Sequence, residues 1–364
     1  MTTEILIDGA KGEGGGQMLR TSLTLSAVMG KPFRMINIRA NRKEPGLKRQ
    51  HLTCVKAAAE ICGATGEGAE PKSQEITFKP NAIRAGKYRF EIGTAGSVTL
   101  VAQTILPVLL CADEASEVVI TGGTHVPMSP SWDFFMRTYL PQLRAMGAEV
   151  EAKLIRYGFY PAGGGEVELK IQPWKSAAPL SLVSRGEKAD EMIVAKVAHL
   201  PIGIAASETK QVASHFHGRQ VRQIVDVIQS PGPGNYCFMM VKHQHLTAVF
   251  SEIGTYGKSR KAVANSVACQ AKIYMSAAFA ADRYLSDQLL LPIVLAGRLL
   301  TSEKKLWGAF SMPKKHSLHF DTNRSVIQQF CSDCDWVEKA HETCKSSSII
   351  YIGQKGFKDE VAKV

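Results

Sequence analysis

Apolar and polar positions along the chain form the same strand–turn–helix pattern twice. The first copy joins an apolar run that ends at Ile7 to a helix-like pattern over 17–29 through a glycine-rich turn. The second copy joins a strand-like run at 88–92 to a helix-like pattern over 98–110 through a turn at 93–97. Each copy is followed by another strand-like run, so the sequence predicts a repeated strand–helix–strand–helix unit.

After Pro173 the pattern changes. A stretch with its own strands and turns runs to about Ala278, and we interpret it as a smaller domain inserted into a larger one, to which the chain then returns. The elements predicted here are strands at 192–198, 236–241 and 246–250, a polar, basic helix near 207–229, and a helical pattern over 262–285, with 289–300 and 311–350 as the rest of the larger domain.

The first turn carries the most informative chemistry. Five of the eight residues from Gly9 to Gly16 are glycine, and glycine lets backbone N–H groups converge on a ligand. A helix that begins directly afterwards adds unpaired N–H groups and a positive dipole end. Glu13 and Arg20 add an oxygen ligand and a phosphate-binding fork, so the turn suggests phosphate chemistry. The alternative is a strand-to-helix turn without a ligand.

The spacing excludes the two common nucleotide loops. Gln17 and Met18 follow Gly16 where a P-loop needs lysine and then serine or threonine. Gln17 also stands where the Rossmann pattern needs its third glycine.

Composition narrows the setting. A chain of 364 residues favours two domains, and 45% hydrophobic with 21% charged residues is typical of a globular protein. Lys and Arg total 44 against 33 Asp and Glu, a net charge of +11. This excess favours a polyanionic partner such as nucleic acid or a nucleotide, although a solvated basic surface would look the same.

The chain is expected to be cytoplasmic. Its eight scattered cysteines form no dense disulfide framework. The first residues, Met1–Glu4, lack the pattern of a signal peptide, and the longest apolar runs are too short to cross a membrane. No membrane partner is expected.

Seven sequence blocks, in order, resemble those of the RNA 3′-terminal phosphate cyclase family. They run from residue 8 to residue 323 and so cover most of the chain. The blocks are Asp8–Arg20, Ile38–Leu52, Thr94–Gln103, Gly122–Thr124, Gly158–Gly165, Tyr284–Leu289 and Leu318–Asn323.

The resemblance implies an α+β fold. Its large domain has three repeated units, each with two helices on a four-stranded sheet, and a smaller α+β domain is inserted between the second and third units. On this chain the large domain would take 1–180 and 279–364, and the insertion 181–278. The distant architectural relatives of the family are the enolpyruvyl transferases.

The resemblance also implies an ATP-dependent reaction on RNA with a 3′-terminal phosphate. A histidine is adenylylated, AMP passes to the RNA phosphate, and the neighbouring 2′-OH displaces AMP to leave a 2′,3′-cyclic phosphate. Covalent catalysis of this kind divides one difficult step into easier ones, and neutral imidazole is a competent nucleophile near pH 7. His319 matches the nucleophile of the family, and His316 is its nearest competitor, otherwise expected to be a solvent-exposed side chain.

Further roles follow from the same resemblance. Arg20, Arg39 and Arg42 would stabilise phosphate charge as catalytic residues, with surface ion pairs as the alternative. Glu13 would hold Mg²⁺ or Mn²⁺, or simply favour a helix start. Phe250 and Tyr284 would pack on the adenosine, or belong to the core. The residues expected to bind the nucleotide are Glu13, Gln17, Gln50, Gln103, Pro130, Phe250, Tyr284, Asp287 and Gln288.

A second metal-ligand pattern lies near the end of the chain. Cys331, Cys334, His341 and Cys344 are zinc-ligand types, but their spacer is shorter than in the usual two-knuckle sites. Free thiols on a helix end and a turn are the favoured interpretation.

Two other functions remain open at this point. A cyclase-like protein that acts in ribosome assembly without catalysis would not need His319 in its motif. An enolpyruvyl-transferase-like enzyme would need about twice the number of repeats and would not explain the basic charge. An exposed apolar helix face could support a homodimer.

Overall fold

The first strand–turn–helix pattern forms a small sheet covered by two helices. The computed structural model describes residues 4–300 and 305–361; Met1–Thr3, on which the expected absence of a signal peptide partly rests, lie outside them. Strand β1 pairs in parallel with β2, and β2 pairs antiparallel with β3. The elements are β1 Ile5–Asp8, α1 Gly16–Met29, β2 Phe33–Ile36, α2 Arg49–Cys62 and β3 Ile76–Phe78.

This sheet has three regular strands in the described residues, so the expected four-stranded sheet is wrong for the first unit. Residues 65–67 run beside β3 and exchange hydrogen bonds through Thr65 and Lys79. Gly66 lies against the carbonyl of Thr77 in β3, and Gly68 against that of Glu75 just before it, so a Cβ at either glycine would overlap. The glycines permit this close approach but leave an irregular edge instead of a strand.

The second pattern forms a complete four-stranded sheet in the order β4-β5-β7-β6. β4 and β5 are parallel, and β7 lies antiparallel between β5 and β6. The predicted second strand, turn and helix are confirmed to within one or two residues. The elements are β4 Lys87–Glu91, α3 Val98–Leu109, β5 Ser116–Gly122, α4 Trp132–Phe134, a π-helical turn Phe135–Tyr139, α5 Leu140–Ala145, β6 Val150–Arg156 and β7 Gly165–Ile171.

The next stretch builds a separate sheet in the order β10-β9-β11-β12, here named the inserted sheet because β8 before it and β13 (Leu306–Pro313) after it pair with each other. Helices α6 and α7 pack on it around a hydrophobic core of its own. Only β8, at the start of the stretch, pairs elsewhere. The elements are β8 Leu180–Leu182, β9 Lys188–Ala198, α6 Ile202–Ala213, β10 Arg222–Val227, β11 Gly234–His243, β12 Thr247–Ile253 and α7 Arg260–Ser276.

The helix predicted near 207–229 is wrong in its second half. Helix α6 ends at Ala213, and Gly218 takes a positive φ of 76° in the connection that follows. The apolar and β-branched side chains of 222–227 then form β10, which pairs in parallel with β9.

The chain returns to a third sheet in the order β14-β15-β13-β8. The helical pattern predicted over 262–285 is interrupted after Ser276, and a new helix begins at Leu285, where the Asp282 carboxylate accepts the N–H groups of Tyr284 and Leu285. The elements are α8 Leu285–Leu299, β13 Leu306–Pro313, α9 Leu318–Phe330, β14 Cys334–Ala340, β15 Ser347–Gln354 and α10 Lys358–Val361.

The protein is therefore of the α+β class, and its helices meet around α1. This helix packs against α2, α3 and α9, and nine of its fourteen residues are buried. The glycine-rich turn at its start is thereby brought next to the start of α9. Within the described ranges, no helix has the length and apolar character needed to cross a membrane.

Candidate active site

The glycine-rich turn is fastened to α9. Gly12 takes a positive φ of 61° and lies so close to Thr322 that a Cβ would overlap the threonine side chain. The next residue, Glu13, donates its backbone N–H to Thr322 Oγ1 at 2.9 Å. Because His319 lies one turn earlier on α9, this contact fixes the histidine beside the turn.

Gln17 connects His319 to a buried carboxyl group. The distance from His319 Nδ1 to Gln17 Oε1 is 2.8 Å, and Gln17 Nε2 donates to Asp287 Oδ2 at 2.7 Å. Asn323, on α9, donates to the backbone carbonyl of Asp287 and so ties α9 to α8. The three side chains come from three helices that the sequence separates by up to 302 residues.

This chain of hydrogen bonds sets the tautomer of His319. When Asp287 is ionised it only accepts, so the amide nitrogen of Gln17 must face it and the amide oxygen must face His319. The histidine then carries its proton on Nδ1, and the lone pair is on Nε2. Burial raises the pKa of Asp287 to about 7, against the opposing effect of the Gln17 hydrogen bond.

Arg20 is a half-buried cation without a hydrogen-bond partner in the described parts of the chain. Burial lowers the pKa of its guanidinium, and Cys54, Glu13 and Asp287 act in the opposite direction. The His51 ring lies beside it; burial, followed by the charge of Arg20, lowers the pKa of His51 to about 3, so this imidazole is neutral. A guanidinium that is partly removed from water and has no partner is unfavourable, and a phosphate in the cavity would provide the missing partner.

These groups open into a cavity of about 810 Å³. Its walls come from α1, α3, α8, α9, the 126–131 loop and the inserted β12 and α7. Eight of the residues predicted from the sequence line it: Gln17, Arg20, Gln103, Pro130, Tyr284, Asp287, Gln288 and His319.

Four other predicted residues lie outside the lining and support the turns. Arg42 donates to the Glu13 carboxylate at 2.8 Å and to the Glu13 backbone carbonyl at 3.0 Å. Arg39 donates to the carbonyl groups of residues 44 and 46. Gln50 accepts the N–H of Ser97 at 2.7 Å.

Phe250 is a correction. It is 3% exposed and packs on Tyr274 in the core of the inserted sheet, so it does not reach the cavity. On β12, Val249, Ser251, Glu252 and Ile253 line the cavity, whereas Phe250 faces the core between the inserted sheet and α7. The expectation had the right strand and the wrong face.

His316 is also placed differently from its expected exposed position. Its Nδ1 lies 2.9 Å from Asp321 and its Nε2 3.2 Å from Glu338, and the side chain is 17% exposed. Both ring nitrogens are therefore engaged by carboxylates, which leaves His319 as the histidine with an available nitrogen in this cavity.

Sequence reasoning missed the polar wall that the insertion contributes. Ser266 donates to Glu252 at 2.7 Å, and Gln270 donates to the backbone carbonyl of Ser251. All four residues line the cavity. The spacing of Ser266 and Gln270, four residues apart on one predicted helix, was the available signal.

The donor set offers little for a resident metal ion. Across 4–300 and 305–361, no three His, Cys, Asp or Glu side chains are close enough to share a metal ion. The thiols of Cys331, Cys334 and Cys344 are free. Glu13 accepts the Gln17 N–H and the Arg42 guanidinium. It fits Mg²⁺ or Mn²⁺ only as a single protein ligand beside water and substrate phosphates.

Comparison with known protein families and proteins agrees with the family resemblance of the sequence blocks. The family model described as RNA 3′-terminal phosphate cyclase matches residues 11–333. The chain belongs to the RNA 3′-terminal phosphate cyclase family. The matched residues include all seven sequence blocks except the first three residues of Asp8–Arg20.

Individual relatives are similar over nearly their whole length. The RNA 3′-terminal phosphate cyclase of Salmonella agona (strain SL483) is 43% identical over 342 residues, which is 94% of this chain and 96% of that protein. The one from Ralstonia nicotianae (strain ATCC BAA-1114 / GMI1000) is 45% identical over 327 residues, 90% and 91% of the two chains. Among solved structures, the enolpyruvyl transferase NikO from Streptomyces tendae matches 96% of this chain and 49% of its own chain, at 10% identity and a TM-score of 0.36. This TM-score is too low to bear on fold or function.

Proposed function

We propose that this chain uses ATP to convert the 3′-terminal phosphate of RNA to a 2′,3′-cyclic phosphate, with His319 as the nucleophile. The observation that carries the proposal is the hydrogen bond from His319 to Gln17, which leaves Nε2 available at a cavity that is also lined by the unpaired, half-buried Arg20. The relatives named above carry the cyclase name.

In the first step, the lone pair of His319 Nε2 attacks the α-phosphorus of ATP. The bond to the bridging oxygen breaks and pyrophosphate leaves, so that AMP is held on Nε2. Gln17 keeps the proton on Nδ1 and accepts a stronger hydrogen bond as positive charge develops on the ring. Arg20 provides charge for the phosphate oxygens.

In the second step, an oxygen of the RNA 3′-phosphate attacks the phosphorus of the adenylyl group, and the P–N bond breaks. The 2′-OH then attacks the 3′-phosphorus, loses its proton, and AMP leaves with the bridging oxygen. Mg²⁺ or Mn²⁺, held by Glu13, would offset phosphate negative charge. Tyr284 and Pro130 supply apolar surface for the adenosine at the cavity wall.

The test is to incubate the protein with ATP labelled at the α-phosphate and a divalent metal ion, then to measure label on the denatured chain. We expect label that is stable to alkali and labile to acid, retained in His316→Ala and abolished in His319→Ala. RNA with a 3′-phosphate should become resistant to phosphatase only with the parent protein and His316→Ala.

Label that survives in His319→Ala would place the nucleophile elsewhere. Absence of label on the parent protein would instead favour the cyclase-like role without catalysis. The Gln17–His319 hydrogen bond favours catalysis, because a protein that does not react has no need to fix an imidazole tautomer in a cavity.

A further inference from the structure

A buried polar network joins the second unit to the inserted sheet. Asp133 lies at its centre with a side chain that is 8% exposed. Its Oδ2 accepts a hydrogen bond from His125 Nε2 at 3.2 Å, and its Oδ1 accepts one from Arg137 Nε at 3.1 Å. Lys196, on β9 of the inserted sheet, brings Nζ to 4.0 Å from the same Oδ2. One carboxylate therefore binds groups from both sides of this boundary.

Two residues of the inserted sheet, Lys196 and Tyr236, belong to this network, beside other contacts such as that of Thr138 with the backbone carbonyl of Thr247 on β12. Lys196 is 13% exposed and donates to the hydroxyl of Tyr157, in the second unit, at 2.8 Å. Tyr236, on β11, donates to Ser131 Oγ at 2.8 Å and sets its ring edge-on to His125 at a centroid distance of 4.5 Å. The boundary is therefore defined by directional contacts as well as by apolar packing.

The network holds a charged carboxylate at this boundary. Burial alone would raise the pKa of Asp133, but the His125 hydrogen bond and the charge of Lys196 outweigh it and hold the pKa at about 2. Removing one partner of a buried charge is strongly unfavourable. The inserted sheet thus has one strongly preferred position against the second unit.

These contacts adjoin two walls of the cavity. Ser131, which receives the Tyr236 hydrogen bond, is the last residue of the 126–131 loop, and every residue of that loop lines the cavity. The facing wall comes from the same inserted sheet, through Ser251 and Ile253 on β12. A shift of the sheet relative to the loop would change the separation of these walls.

We propose that Lys196 and Tyr236 are positioning residues for the nucleotide. They fix the inserted sheet against the His125–Asp133 pair and so set the distance between the 126–131 loop and β12. The identity of the ligand rests on the proposed function, whereas the coupling of loop and sheet does not need a ligand.

The coupling is tested by amide hydrogen exchange in the protein without nucleotide. Lys196→Met removes the charge and retains most of the side-chain volume, and Val267→Ala, in the core between α7 and the inserted sheet, is the control for general destabilisation. We expect exchange in the 126–131 loop and β12 to rise about fivefold or more in Lys196→Met. In Val267→Ala, exchange should rise in β12 and not in the loop.

The positioning role is tested by ATP binding. In a His319→Ala background, calorimetry should show ATP bound about tenfold more weakly after Lys196→Met, and Lys196→Arg should recover most of the affinity. In the background with His319 intact, the adenylylation rate at saturating ATP should stay within about twofold of the parent, so that KM changes and kcat does not. Tyr236→Phe should give a smaller change in the same direction.

The possible results test the positioning role of Lys196 separately from the proposed function. Unchanged loop exchange in Lys196→Met, or faster exchange with unchanged ATP affinity, would overturn the positioning role. An equal rise of loop exchange in Val267→Ala would also overturn it. If the parent protein itself binds no ATP, the proposed function fails, and the exchange measurement still decides whether Lys196 couples the loop to the sheet.

Discussion

The two glycine turns have the same place in their units and opposite surroundings. In the second unit, Ser97 caps α3 by accepting the N–H of Leu100. Its own N–H donates to Gln50, and the N–H of Val98 donates to the carbonyl of Gly123. The start of this helix is therefore filled by groups of the protein itself.

In the first unit, the cap residue of α1 is Gly15, which has no side chain to accept an N–H group of the helix. Glu13 takes one N–H, that of Gln17, and Arg20 remains unpaired within the described residues beside the cavity. On the proposed function the difference is chemical: the first turn would bind an anion because no side chain caps its helix and it lies beside the cavity, whereas the second turn is filled by the protein itself. A repeated pattern alone does not distinguish the two.

The largest effect should come from adding one methyl group to the first turn. In Gly16→Ala the new Cβ overlaps the His51 ring and lies 2.8 Å from Arg20 Nη1. We expect the guanidinium to be displaced and adenylylation of the folded protein to fall about 100-fold or more, with a loss of stability of about 1–3 kcal/mol from crowding the His51 ring. Quenched-flow measurement of adenylyl transfer checks this.

Gly93→Ala is the matched control in the second turn. Its Cβ would have space, 3.4 Å from Arg49 Nη1, but the residue has a positive φ of 69°. The expected cost is about 1–2 kcal/mol of stability with adenylylation intact. Equal loss of activity in the two variants would show that the turns do not differ in function.

The next effect concerns the support that only the first turn has. Arg42 contacts the Glu13 carboxylate and the backbone carbonyl groups of Glu13 and Gly14. Lysine cannot make these contacts together because it lacks the planar fork. We therefore expect Arg42→Lys to slow adenylylation about 10- to 100-fold. Arg34→Lys, in an exposed ion pair with Glu75, should leave the rate unchanged, and an equal loss there would contradict the role of Arg42 in supporting the turn.

The sequence predicted the first glycine turn better than the contacts around it. The glycine turn, His319 and the start of α1 follow from local pattern and from the family resemblance, and the structure brings His319 and the turn together at one cavity. Phe250 was predicted on the wrong face because the phase of a strand depends on what covers it. Gln50 was expected to bind the nucleotide, while its side chain accepts the N–H of Ser97, 47 residues away.

The Asp133 network shows the same limit more strongly. Arg137 lies four residues from Asp133 on one helical segment, and the sequence could have indicated that pair. Lys196 is 63 residues away on another sheet, and only the packing of that sheet brings it near. Contacts between units depend on tertiary geometry, which single-residue patterns do not encode.

A further effect should appear in the pH dependence of adenylylation at the first turn. Protonated Asp287 can donate to Gln17, which turns the amide nitrogen toward His319 and moves the imidazole proton from Nδ1 to Nε2. The nucleophilic lone pair is then lost. Since the pKa of Asp287 is raised to about 7, the adenylylation rate should fall as the pH drops through that value, by about tenfold per unit below it.

Asp287→Asn provides the control, because its side chain does not titrate. Its rate should be about threefold to tenfold below the parent at pH 8 and should lack the inflection that Asp287 contributes. A pH–rate profile with the same shape as that of the parent would contradict the link between Asp287 and His319. The second turn has no carboxylate in this place, so Gly93→Ala should retain the parent profile.

The smallest effect is expected in the second turn, at the cap of α3. Ser97→Ala removes the cap of α3 and should lower the free energy of unfolding by about 1 kcal/mol, whereas Ser97→Gly should lose only a few tenths because glycine tolerates the cap conformation. Thermal unfolding followed by calorimetry distinguishes the two variants. Adenylylation should be unchanged in both, because the N–H groups at the start of α3 are already occupied by Gln50 and Gly123. A large loss of adenylylation in Ser97→Ala without loss of stability would mean that the second turn also contacts the nucleotide, and the contrast between the two turns would then be wrong.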